Sequence, residues 1–448
     1  MLPALAFAVA VVAVVLVLEA SSYAALKRIP AVATEEFPEI DRELLEKFSS
    51  FDPELGWCPQ PNREKQKDTG DHLPGEEVRS VVTYSTDEYG SRVCPARDRE
   101  ESGAATVEET DGAATAADAD RATAVDDAER SDGDPTGDVT VSTYGDSYCF
   151  CREVDDDETF QHYMARQLDT HVANYGGGNY GLDQALMRLE RQYPEEPTDY
   201  VFVVVTASSI ARILSVWKHY QEFGNVLAVK PRFVLENGDL ERVDSPVDEK
   251  EELLDLESKA EFLREYDFHY DHWFRPHHAS IPYTTDFLEK PEHLRYALYT
   301  AGKELERRAG RSVPGIDFDR AQTESALRME RPRVRYHERL FETHEPLFDA
   351  LIGRFVEYAD EREFQPVFVM VQQLRYAKYE AEHGPIYGDL VDRLGEEYDA
   401  LETIDVARHL DPDDGVESLY VERGEGGHYS PETNREIASV LAEVVEDG

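Results

Sequence analysis

Two short stretches at opposite ends of the chain carry residue types suited to acyl chemistry. The first is Gly145-Asp146-Ser147, which closes the alternating run Val139-Thr-Val-Ser-Thr-Tyr144. A period-two run rich in β-branched residues predicts a strand, and the glycine marks a sharp turn at its end. In open α/β sheets ligands sit beyond the carboxyl ends of the strands, so Ser147 is a candidate nucleophile. The second stretch is Gly427-His428-Tyr429-Ser430-Pro431. Ser430, Pro431 and Glu432 predict a helix start: a hydroxyl at the N-cap, proline at the first turn and a carboxylate facing the dipole. His428 then stands on the loop before a final amphipathic helix, with Glu425 just upstream. A histidine so placed can take the proton of a serine at a strand end, and a carboxylate can fix its tautomer and stabilise the imidazolium. Ser147, His428 and Glu425 form the candidate catalytic set. The bland alternative is a surface turn and a solvated loop histidine.

A third cluster is Tyr266-Asp-Phe-His-Tyr-Asp-His-Trp-Phe-Arg-Pro-His-His278. One reading is a metal site using His269, His272, His277 or His278 with Asp267 or Asp271. The other is a packed or substrate-facing aromatic lid, in which Trp273 and His272 contact substrate together with Tyr148 beside the nucleophile. The histidine spacing matches no standard helical metal signature, so neither a metal nor another cofactor is expected. Cys58 and Cys94 sit in separate turn-rich pieces, where they either form a disulfide, if that part faces outside, or remain buried free thiols. Cys149 and Cys151 read as packing thiols.

The elements that position these residues follow from periodicity. Helices are expected over Thr159–Leu168, Leu182–Tyr193 and Ile210–Phe223, with another closing at Phe355–Ala359, and a short strand over His171–Tyr175. Tyr200–Val205 and Pro366–Val371 are continuous apolar runs of the kind buried on both faces of a parallel sheet, and Leu401–Val406 is the expected last strand. Strands alternating with helices imply an α/β fold with a doubly wound parallel sheet. Between about 236 and 336 the alternation stops, and a charged, largely helical insertion is expected.

Leu2 to Leu18 is an unbroken apolar run at the short end of the roughly 17–25 residues a membrane helix needs. An anchor within 1–26 is the favoured reading over a cleaved signal sequence, since no positive n-region precedes the run and no clean small-x-small site follows it. Lys27 and Arg28 on its C-terminal flank would place the bulk of the protein in the cytoplasm by the positive-inside rule. Residues 27–95 read as a small extended module and 96–137, rich in Ala, Asp, Glu, Thr and Gly, as a disordered acidic linker. Acidic residues outnumber basic ones 94 to 46, giving a formal charge of -48. That balance argues against nucleic acid as a partner. It suits a protein of concentrated salt, where the Debye length of about 3 Å screens self-repulsion.

Taken together, Gly145-Asp-Ser147, the block Asn174-Tyr-Gly-Gly-Gly-Asn-Tyr-Gly-Leu-Asp-Gln184 and Glu425-Gly-Gly-His428 with Tyr429 to Asn434 resemble, in this order, the SGNH (GDSL-type) hydrolase superfamily. The resemblance is to members that handle O-acyl groups on polysaccharides, and the composition points to a haloarchaeal source. It covers about 138–235 and 340–448 of a domain spanning 138–448. The pieces around Gly56-Trp57 and Tyr84 to Arg92 are similar to a lead-in found in some relatives. The resemblance implies a flavodoxin-like three-layer αβα fold, a Ser147–His428–Glu425 acyl-enzyme mechanism and an extracellular catalytic domain. It also implies an oxyanion hole formed by the amides of Ser147 and of Asn179 or Gly178. In place of the family's third-block asparagine the chain offers Ser208 or Ser209. The implied function is a membrane-anchored esterase or O-acyltransferase acting on carbohydrate, with a non-catalytic glycan-binding or assembly protein as the alternative. A metal-dependent hydrolase built on the histidine-rich insertion is a third.

Overall fold

The structure, a computed structural model, describes residues 2–29, 32–68, 81–95, 123–124, 140–412, 415–421 and 427–448. The expected linker therefore falls outside the described residues, apart from Thr123–Ala124, a two-residue strand beside Arg63 and Glu64. Glu425 falls outside them too. The chain divides into two compact units. One gathers Met1–Asp41, Leu214–Val229 and Glu251–Tyr336, and the other Arg42–Ile213, Lys230–Lys250 and His337–Gly448. The described residues of 42–95 fall in the same unit as the sheet.

The second unit is built on five parallel strands: β1 (Val141–Gly145), β2 (Val172–Gly176), β3 (Tyr200–Thr206), β4 (Gln365–Val371) and β5 (Glu402–Asp405). Their spatial order is β2-β1-β3-β4-β5, the doubly wound order of flavodoxin-like sheets. Every residue of β1 and β2, and all but the first of β3 and β4, is buried. β3 and β4 read as continuous apolar runs because helices cover both faces. On one face lie α1 (Phe160–Leu168) and the C-terminal helix, whose Ile437 and Leu441 join Phe160, Met164, Phe202 and Val369 in the core. On the other, Arg188 of α2 (Leu182–Gln192) lies over Tyr175, and Phe348 of α3 (Phe318–Arg362) packs edge-on against Phe368. Helices α4 (Leu374–His383) and α5 (Leu390–Glu397) lead from β4 to β5, and α6 (Pro431–Asp447) closes the chain.

Two expectations change. The helix expected over Ile210–Phe223 is broken into Ser209–Arg212 and Lys218–Gln221. Between them the Asp267 carboxylate accepts hydrogen bonds from Val216 N (2.7 Å), Trp217 N (2.8 Å) and Ser215 Oγ (3.0 Å), which diverts those amides from a helical ladder. The insertion expected to be helical from 236 begins with an antiparallel hairpin, Arg232–Glu236 with Asp239–Val243. Asn237 and Gly238 at its tip both have positive φ, the arrangement favoured in two-residue turns.

In the first unit the helix Leu2–Leu26 is long and apolar enough over Leu5–Leu26 to be an anchor or a signal sequence, with a mean hydropathy of 2.4. Helices Tyr283–Glu289 and Pro291–Ala309 follow the aromatic cluster.

Candidate active site

β1 ends at Gly145, and the chain turns at once through Asp146 to Ser147. A side chain at Gly145 would overlap the Val204 carbonyl oxygen of β3, so only glycine lets the strand end this close to its neighbour. The turn is fixed by the buried Asp146. Its Oδ1 accepts from Tyr148 N (2.8 Å), and its Oδ2 from Thr206 Oγ1 (2.7 Å) and Arg212 Nη1 (2.8 Å). Ser147 is held at the sheet's carboxyl edge by a buried ion pair rather than by a mobile loop.

His428 arrives from the other end of the chain. Tyr420 and Tyr429 bridge antiparallel, Val421 N donates to the His428 carbonyl (2.9 Å), and Ser430 N donates to Leu419 O (3.0 Å). Ser430 caps α6, its hydroxyl accepting from Thr433 N at 3.2 Å. Gly427 has φ +58, and the Tyr148 hydroxyl donates to its carbonyl at 2.6 Å. In this setting the Ser147 hydroxyl and His428 Nε2 lie 2.9 Å apart, although 281 positions separate them in the sequence. The structure brings these two sequence-derived candidates within hydrogen-bond reach.

The carboxylate beside the imidazole is one the sequence did not single out. Glu153 Oε2 lies 3.3 Å from His428 Nδ1, both groups almost fully buried, though the two are not aligned as a hydrogen bond. Such contacts are often loose before substrate binds. Glu153 has φ +78, a conformation that costs a non-glycine residue of order 1–3 kcal/mol unless its surroundings enforce it. Here they do. Glu153 N donates to Tyr84 Oη (2.8 Å). The fully buried Arg92 donates to the carbonyls of Phe150 (2.7 Å), Cys151 (2.6 Å) and Val154 (2.5 Å) and to Asp156 Oδ1 (2.9 Å). Arg92 also bridges to β2 by donating its amide to Asn174 O at 2.8 Å.

Burial lowers the His428 pKa below the ordinary histidine value, and the Glu153 carboxylate partly opposes that shift. The imidazole is therefore neutral near pH 7, the form that can accept a proton on Nε2.

The glycine-rich loop after β2 faces the same edge. The Gly176 and Gly177 amides are committed, to Asn174 Oδ1 (3.0 Å) and Gly145 O (2.9 Å). Among the described residues the amides of Ser147, Gly178 and Asn179 donate to no protein acceptor. Asn179 has φ +63, and a side chain at Gly178 would meet open space. Trp57 Nε1 donates to Gly178 O (2.8 Å), and Tyr180 Oη donates to Trp57 O (2.6 Å), which fastens the loop to the N-terminal segment.

Several site expectations are corrected. Ser208 cannot donate to an oxyanion as it stands: Thr206 Oγ1 gives its proton to Asp146, so Ser208 Oγ, 2.8 Å away, spends its own on Thr206. Ser209 Oγ accepts from Leu182 N at 2.7 Å, at the start of α2. Tyr148, expected to contact substrate, is buried, with its ring 4.6 Å from that of His428 and its hydroxyl spent on Gly427 O. Trp273 and His272 belong to the other unit. Trp273 is buried, stacked on Tyr336 (4.7 Å) and His277 (4.1 Å), while the His272 ring lies on Phe268 (3.9 Å). Cys58 and Cys94 are free thiols, not a disulfide. Arg191 Nη2 donates to Cys58 Sγ (3.4 Å), and burial pushes the Cys94 thiol up to about 12.

The candidate metal residues are likewise spent on packing. Asp267 holds the turn at Val216 and Trp217, His269 Nδ1 meets Tyr336 Oη at 2.7 Å, and Asp271 pairs with Arg275. Among the described residues no group of three His, Cys, Asp or Glu side chains is placed to hold a metal ion.

Comparison with protein-family models gives no match, and neither does comparison with curated protein sequences. Among solved structures, the chain is similar to a G-D-S-L family protein, assigned as lipolytic, from Desulfitobacterium hafniense DCB-2. The match has 12% identity and a TM-score of 0.33, and covers 68% of this chain and 99% of the other.

Proposed function

We propose that the chain is a serine ester hydrolase or O-acyltransferase of the SGNH type. The observation that carries this reading is the 2.9 Å approach of Ser147 Oγ to the neutral, buried His428 Nε2 at the carboxyl edge of the sheet. Ser147 attacks the ester carbonyl while His428 takes its proton, and the imidazolium then passes that proton to the departing alcohol. Glu153 faces Nδ1 and stabilises the charged ring. The amides of Ser147 and of Gly178 or Asn179 meet the oxyanion. Water completes hydrolysis, and a sugar hydroxyl in its place completes transfer.

The finer reading is an enzyme tethered by its N-terminal helix, acting on O-acyl, chiefly acetyl, groups of carbohydrate outside the cell in concentrated salt. It rests on the resemblance of the three sequence blocks and on the acidic composition. The competing reading, a glycan-binding protein without catalysis, drew on the missing third-block asparagine. A fluorophosphonate probe in molar salt separates the two. Labelling of the wild type that is lost in Ser147→Ala and His428→Ala supports the enzyme, whereas a folded wild type that does not label removes it.

A further inference from the structure

The first unit carries a surface that the acyl chemistry does not use. Leu294, Leu298 and Leu305 on helix Pro291–Ala309 are 42%, 60% and 64% exposed, and at spacings of four and seven they form one stripe. Ile281 and Leu288, just before it, are 77% and 82% exposed. Another side of this helix packs against the chain: Gln322 Nε2 donates to Thr300 Oγ1 (3.0 Å) and Ser325 Oγ to Glu292 O (3.4 Å).

We propose that the helical hairpin spanning 283–309 lies on a lipid bilayer, with its leucine stripe in the boundary between headgroups and acyl chains. The proposal rests on reading the N-terminal helix as an anchor, and two observations name the bilayer as occupant. The first is continuity. The Glu19 carboxylate accepts from Tyr283 N (2.6 Å) and Thr284 N (3.3 Å), and the Tyr23 and Tyr283 rings are 5.0 Å apart. Leu26, Ile29 and Val32 then pack with Tyr283, Phe287, Tyr296 and Ala297. The hairpin is thus fastened where the exposed apolar run ending at Leu18 gives way to Glu19, the level at which the hydrocarbon ends. The second is charge. Across 283–309 Lys290, Arg295, Lys303, Arg307 and Arg308 offset Asp286, Glu289, Glu292, Glu304 and Glu306, so five minus five leaves the hairpin without net charge in a chain of -48. A hairpin with an apolar stripe, free of the surrounding excess of carboxylates, can approach an anionic headgroup layer without the repulsion the rest of the chain would meet, and tyrosines concentrate at that depth.

Trp57, Trp217 and Trp273 are all buried, so an added tryptophan reports its own surroundings. The full chain carrying Leu298→Trp or Leu305→Trp, reconstituted into anionic vesicles with brominated acyl chains, should lose most of the added emission. Bromines near the headgroup end should quench more than deep ones. Leu18→Trp in the apolar helix is the control. Quenching of Leu18→Trp but not of Leu298→Trp or Leu305→Trp overturns the proposal, and blue-shifted, unquenched emission at Leu298 assigns the stripe to a second copy instead. No quenching of Leu18→Trp removes the anchor reading and the proposal with it. None of these outcomes touches the acyl chemistry, which the fluorophosphonate probe reads separately.

Discussion

His428 must be neutral to act as a base, and burial lowers its pKa. Activity is lost as pH falls through that lowered value, so kcat/KM for a simple acyl ester should hold steady near neutrality and decline only below the ordinary histidine range of about 6.5. Glu153 opposes the shift. Glu153→Gln should therefore move the acid limb lower still, and also cut kcat by about 10²–10⁴-fold, because the imidazolium formed in the transition state loses its partner. A pH–rate profile checks both signs, and an unchanged kcat with an unmoved limb would return the third role to Glu425. Ser147 and His428 were legible because each sits in a local motif with its own physical logic, a strand end and a capped helix start. Glu153 was not, since nothing in Cys151-Arg-Glu-Val marks a carboxylate whose direction is set by a left-handed backbone and by Arg92, distant in sequence.

The element that enforces this geometry is the N-terminal segment within 51–95. Tyr84 and Arg92 hold the Glu153 loop, and Leu55 O and Trp57 hold the glycine loop, the former through Gln184 Nε2 at 2.7 Å. Arg92→Lys keeps the charge but cannot reproduce a fork shared among three carbonyls, and an unsatisfied buried acceptor costs about 1–3 kcal/mol. It should lower the urea midpoint and kcat, and combined with Glu153→Gln it should add little further loss in kcat, since both changes act through the same ring. Full additivity in kcat would mean that Arg92 serves stability alone. Trp57→Phe removes one donor at Gly178 and should cost about 1 kcal/mol of stability together with a fall in kcat. β3 and β4 were legible because burial on both faces leaves an unbroken apolar signature, and β1 because its residues alternate with a period of two and end at a glycine. The break after Arg212 was not, because it depends on Asp267, far along the chain, capturing the amides of Val216 and Trp217.

At the scale of the whole molecule, the charge of -48 acts differently on different parts. The pairs Asp146–Arg212 and Asp183–Lys230 are buried, so dissolved salt screens them weakly, and they should hold the nucleophile turn and α2 at any ionic strength. The exposed carboxylates repel one another over about 10 Å at 0.1 M salt but over only about 3 Å at 1 M. Withdrawing salt should therefore destabilise the fold through its surface while the core contacts stay as they are. The far-ultraviolet circular dichroism and thermal midpoint of the full chain in neutral detergent should fall steadily from molar to millimolar sodium chloride. Potassium chloride at equal ionic strength should act alike, because screening does not depend on which monovalent ion supplies it. A midpoint that holds constant through that range would show that self-repulsion does not limit stability, and a marked difference between the two salts would point to specific cation sites on the acidic surface.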